Sequence, residues 1–134
     1  MTDTPEPQRR DYTKHALLPF QTRVASWLLD CFGPKIALDR TERAHRFLEE
    51  ALEMVQAGNC TRDEAHQLVD YVFLRPTGEM RQEIGGTLVT LAAFCDAYGI
   101  DMAECGDVEL ARCYQHIHAI RAKQKQKPQF GPLP

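Results

Sequence analysis

Apolar positions along the chain recur with the 3.6-residue period of helices, and no segment carries the convincing alternation of a strand. Val24, Trp27, Leu28 and Cys31 are spaced by threes and fours, which predicts a first helix from about Phe20 to Phe32. Gly33-Pro34 ends it. A long second helix runs to about Gln56, with Asp39 placed to cap its start and Ala57-Gly58-Asn59 to close it. Leu48, Ala51, Leu52 and Val55 form its core stripe at i, i+3, i+4 and i+7. Thr61 and Glu64 make a capping-box pattern that opens a third, shorter helix, broken by Arg75-Pro76-Thr77-Gly78. The fourth runs from about Glu79 to Ala97 on Met80, Ile84, Leu88, Leu91 and Cys95, and Tyr98-Gly99 closes it. Asp101 is expected to cap a short turn, and Asp107 a final helix through about Lys123.

The expected fold is therefore all-α, with four or five helices in one domain over residues 19–126. A loose lead-in (1–18) precedes it, and the proline-bearing KPQFGPLP segment (127–134) follows as an extended tail.

On the second helix Glu42, Glu49, Glu50 and Glu53 occupy an arc away from the apolar stripe. Carboxylates about 4 Å apart repel by up to roughly 4 kcal/mol per pair at an effective dielectric near 20. A hard divalent cation such as Mg²⁺ or Mn²⁺ turns that repulsion into coordination. The ordinary alternative is a solvated face knit by the i,i+4 pairs Glu42–Arg46 and Arg46–Glu50. On the fourth helix Glu79, Glu83, Thr87 and Thr90 form a polar seam beside the apolar stripe. Gly85-Gly86 interrupts that helix at about 1 kcal/mol per glycine, which suggests close approach of a backbone or a ligand. Antiparallel packing of the two helices would bring Glu83 against Glu50 and Glu53.

Composition narrows the field. Sixteen basic against nineteen acidic residues leave a net charge of −3, which argues against a general nucleic-acid binder. After Glu109 no acid occurs, whereas Arg112, Arg121, Lys123, Lys125 and Lys127 form a local basic arm. Five scattered cysteines without a C-x-x-C pair imply neither a disulfide framework nor a zinc site, and a reducing, cytoplasmic setting is expected. No apolar run reaches membrane-spanning length, and the N-terminus lacks the apolar core of a signal peptide.

Glu49-Glu50-x-x-Glu53 followed by Glu83 in EIGGTLVTL resembles the EExxE…ExxD motif of the MazG-like nucleoside triphosphate pyrophosphohydrolases. WLLDCFG (27–33), RTERAHRFLEEALEMVQAGNCT (40–61), AHQLVDYVFLRPTGE (65–79) and IRAKQKQKP (120–128) are similar to the small phage and prophage members, those of the MazZ type above all. The resemblance covers residues 20–134. It implies a MazG-like helical bundle assembled as a dimer or dimer of dimers. It also implies an Mg²⁺- or Mn²⁺-dependent conversion of a purine deoxynucleoside triphosphate, dGTP before dATP, into the monophosphate and pyrophosphate. Glu49, Glu50 and Glu53 match EExxE and Glu83 the first position of ExxD, which makes these four the expected catalytic and metal residues. Gly86 stands where the motif has aspartate, and Asp70 and Glu79 are weak substitutes for it. Arg43, Arg46, Lys35, Arg121, Lys123 and Lys125 are candidate phosphate partners; Trp27, Phe20 and His45 are candidates for the base. The ordinary readings are core for Trp27, intrahelical ion-pair partners for Arg43 and Arg46, and a solubilising tail for the arm. An inactive nucleotide-binding protein is the alternative that Gly86 leaves open.

Overall fold

A computed structural model describes residues 19–126. They form α1 (Phe20–Ala37), α2 (Arg40–Ala57), α3 (Arg62–Phe73), α4 (Met80–Ala97), α5 (Met102–Gln115) and α6 (Ile117–Gln126), with no strand among the described residues. The all-α expectation holds, with six helices in place of four or five. The lead-in and the tail lie outside the described residues. By their internal contacts the described residues divide into two compact units, 19–39 with 106–126 and Arg40–Cys105.

In the first unit α1 breaks where its sequence says it must. Gly33 takes φ 74°, ψ 171°, and Pro34 follows. A helix would give the Asp30 carbonyl the N–H of residue 34, which proline lacks. Arg121 of α6 fills the gap: its Nε donates to the Cys31 carbonyl at 2.6 Å and its Nη2 to the Asp30 carbonyl. Cys31 is buried beside this contact, and its Sγ faces the Ile117 carbonyl at 3.9 Å. Ser26, Ala37 and Leu110 complete a small core.

The chain from Asp101 onward differs from the expectation. Asp101 caps α5, accepting from the Glu104 N–H at 2.9 Å, and the helix then runs unbroken through Asp107 to Gln115. Asp107 is thus no cap but the partner of Arg23 at 2.5 Å. Gly106 inside α5 is explained by the Phe20 ring, whose Cζ would lie 2.9 Å from a Cβ there.

The second unit follows the sequence signals closely. Thr61 and Glu64 form both bonds of the capping box, at 3.2 and 3.0 Å. Asn59 closes α2 at φ 67°, with the Cys60 N–H on the Val55 carbonyl; Gly99 and Ile100 repeat the motif after α4. The Glu79 carboxylate caps α4 by accepting from the Gln82 N–H at 2.8 Å. The C-terminal ends of α2 and α4 meet, with the Tyr98 hydroxyl donating to the Gly58 carbonyl at 3.4 Å and the Phe94 ring against Gly58. No residue of this unit is buried.

Candidate functional site

The carboxylates of α2 sort into two groups. Arg46 binds Glu49 at 2.5 Å and Glu42 at 3.2 Å, while Arg43 lies 4.0 Å from Glu42. This ladder is well covered, with the Arg46 and Glu42 side chains each 15% exposed. Of the two expected i,i+4 pairs, Glu42–Arg46 forms, whereas in place of Glu50 Arg46 takes Glu49, one turn on. Glu50 and Glu53, three residues apart and so on adjacent turns of one face, are both exposed.

Glu53 also lies at a groove of about 300 Å³ between α2 and α3. Leu52, Val55, Cys60, Ala65 and Val69 give it an apolar lining, with Gln56 and Arg62 as polar groups. Arg62 Nε donates to His66 Nε2 at 3.3 Å. His45 is half-buried on α2. Burial, helped by the neighbouring Glu64 carboxylate, pushes the Cys60 thiol pKa up; burial does the same for Cys31 and Cys113. Thiols held protonated in this way are poor nucleophiles.

Glu83 is exposed in the first turn of α4, its carboxylate folded back over Gly78. An acid is favourable there because helix N–H groups point towards it. The seam threonines bond their own helix: Thr87 Oγ1 donates to the Glu83 carbonyl at 2.8 Å and Thr90 Oγ1 to the Gly86 carbonyl at 3.0 Å. Glu79 is occupied as the α4 cap, and the backbone N–H groups of Gln82 and Arg81 hold its carboxyl below the usual range.

Glu83 and Glu50 are not among the residues lining the groove at Glu53. In place of the antiparallel apposition expected of α2 and α4, the contact joins their C-terminal ends, whereas Glu83 belongs to the opposite end of α4. Among the described residues no group of three or more His, Cys, Asp or Glu side chains is gathered to hold a metal ion. Gly85 and Gly86 meet no close neighbour, since a Cβ built on either finds nothing within 4 Å.

The other candidates belong to the first unit, where several have structural partners. Arg121 is tied to the α1 break. Lys123 and Lys125 are exposed in the last turn of α6, where the helix dipole favours cations, and Lys35 is exposed after Pro34. Trp27 is half-buried edge-on to Phe32, ring centroids 5.6 Å apart, and Phe20 carries the Arg23 guanidinium 5.3 Å from its centroid. Pro34 in the sequence says that the Asp30 carbonyl loses its helical N–H donor, but nothing local says that Arg121 serves it. No described helix is long and apolar enough to cross a membrane. No protein-family model, curated protein or solved structure matches the chain.

Proposed function

We propose that this chain is a divalent-metal-dependent nucleoside triphosphate pyrophosphohydrolase acting on purine deoxynucleotides, dGTP before dATP, as a homodimer or homotetramer. The observation that carries the reading is the exposed pair Glu50 and Glu53 on adjacent turns of α2, within the EExxE pattern, with Glu53 at an apolar groove. Two carboxylates, with water and substrate phosphate oxygens, make a suitable Mg²⁺ shell, because this ion commonly keeps several such ligands. The donors therefore fit the ion chemically, and Glu50 and Glu53 would hold it. Bound there, it supplies charge neutralisation at the phosphates and acidifies a water.

The remaining work falls to this chain's side chains. Glu49, its carboxylate fixed by Arg46, would accept a proton as water attacks the α-phosphorus and pyrophosphate leaves. The groove at Glu53 has the scale of a small-ligand pocket, and Gln56 and Arg62 give it hydrogen-bonding groups for a purine edge. Glu83 would join the metal shell only if α4 reaches Glu50 and Glu53 in the assembled protein.

A second reading, a nucleotide-binding protein without turnover, is favoured by glycine at position 86, where the motif has aspartate. A panel of deoxynucleoside triphosphates with Mg²⁺ or Mn²⁺ separates the two. Monophosphate and pyrophosphate formed by the natural chain and lost in Glu53→Ala support the hydrolase. Saturable binding with no product supports the second reading, and neither binding nor product removes both.

A further inference from the structure

The arginine of the α2–α3 groove is badly placed for stability. Arg62 opens α3, in a first turn that otherwise holds Asp63 and Glu64. Helix N–H groups turn their partial positive charge towards this end, so an acid is favourable there and an arginine is not. No carboxylate compensates, since among the described residues Arg62 belongs to no ion pair. Its Nε donates instead to His66 Nε2 at 3.3 Å, one turn on, and both side chains line the groove. Arginine can only donate, so the imidazole accepts through a bare Nε2 and keeps its proton on Nδ1. Contacts of this spacing are common on helix surfaces, but a neutral ring does not balance the charge. It holds the guanidinium by Nε and leaves the Nη donors for a ligand.

The walls set the body of that ligand and the arginine its edge. Leu52, Val55, Ala65 and Val69 supply apolar surface, and about 300 Å³ is the small end of ligand pockets, the scale of one ring system. Among the described residues no Phe, Tyr or Trp lines it, so hydrogen bonding rather than stacking has to tell one base from another. A planar fork made only of donors needs two neighbouring acceptors. Guanine offers N7 and O6, whereas adenine sets its N6 amino donor beside N7, against which the fork has nothing to accept. Hypoxanthine carries the same N7 and O6 and lacks only the 2-amino group, on the far side of the ring. Gln56, from the α2 wall, does not choose, because its amide can turn to donate or to accept.

We propose that the groove selects 6-oxopurines, guanine and hypoxanthine alike, over 6-aminopurines, with Arg62 reading N7 and O6 and His66 acting as its positioning residue. The substrate class so extends to deoxyinosine nucleotides. This rests on the reading above that the groove takes the base, but not on the metal or on turnover.

Isothermal titration of the full chain with dGMP, dIMP and dAMP, without metal, reads the choice apart from the chemistry. The first two should bind within about threefold of one another and dAMP at least about tenfold more weakly, the lower part of what a bidentate contact discriminates because Arg62 is exposed. Arg62→Gln exchanges the donor fork for an amide suited to adenine and should abolish or reverse the order. His66→Phe should narrow the ratio, whereas His66→Gln, which can still accept from Nε, should keep it. A merely structural defect would weaken all three ligands together. Equal binding of dAMP, dIMP as weak as dAMP, or a ratio unmoved in Arg62→Gln overturns the inference, and turnover of dGTP would then leave the hydrolase reading standing. A 6-oxopurine preference without turnover of dGTP does the reverse. Failure of all three to bind removes the groove as the base site, and the inference with it.

Discussion

Replacing Arg121 by alanine removes both donors that serve the broken end of α1. The Cys31 carbonyl then loses a 2.6 Å bond beside a buried side chain, and the Asp30 carbonyl loses its Nη2 donor. Charged donors contribute roughly 1.5–3 kcal/mol per bond, with the lower end apt where water can replace the donor. Arg121 is itself exposed and water can reach Asp30, so the Cys31 bond dominates and the loss should be about 2 kcal/mol. For a chain of this size that lowers the thermal midpoint by roughly 7 °C. Arg121→Lys keeps the charge but cannot span two carbonyls with a rigid fork, so it should recover less than half of the loss. The assay is thermal denaturation followed by circular dichroism, with nucleotide affinity measured in parallel. An unchanged midpoint with weakened binding would refute the structural assignment and return Arg121 to the phosphate-binding group.

Gly33→Ala forces a Cβ into a backbone region that is essentially glycine's own, at φ 74° and ψ 171°, and should cost about 1–3 kcal/mol in denaturant titrations. Thr61→Ala removes the Oγ1 acceptor of the capping box and should destabilise α3 by about 1 kcal/mol, read as lost helicity on mild heating. Glu79 has a folded pKa below its unfolded value, so its contribution is present above the unfolded pKa and is lost as pH falls through the folded one. Acid titration of the natural chain should therefore show fraying of α4 in that window, and Glu79→Gln should flatten this part of the profile.

Signals confined to a few neighbouring residues were legible in the sequence. The capping box at Thr61–Glu64, the left-handed Asn59 and the break at Gly33-Pro34 all need only local chemistry, and all are present. Asp107 shows where that stops: it looks like a cap, but a helix already started by Asp101 runs through it, and its carboxylate goes to Arg23, far off in sequence. The carboxylate arc was half legible for the same reason. Spacing puts Glu42, Glu49, Glu50 and Glu53 on one side of α2, yet it cannot say that Arg46 divides them by binding Glu42 and Glu49. Nor does helical period fix how α2 and α4 meet, which depends on ring contacts at Gly58, Phe94 and Tyr98.

The claim that Glu50 and Glu53 hold the ion that drives α–β cleavage is tested most directly by ³¹P NMR of dGTP with Mg²⁺ and the purified chain. The prediction is a growing pyrophosphate signal matched by dGMP, absent with Glu53→Gln at unchanged fold. Orthophosphate as the product, an unaltered triphosphate spectrum, or the same pyrophosphate signal from the substituted chain would contradict it.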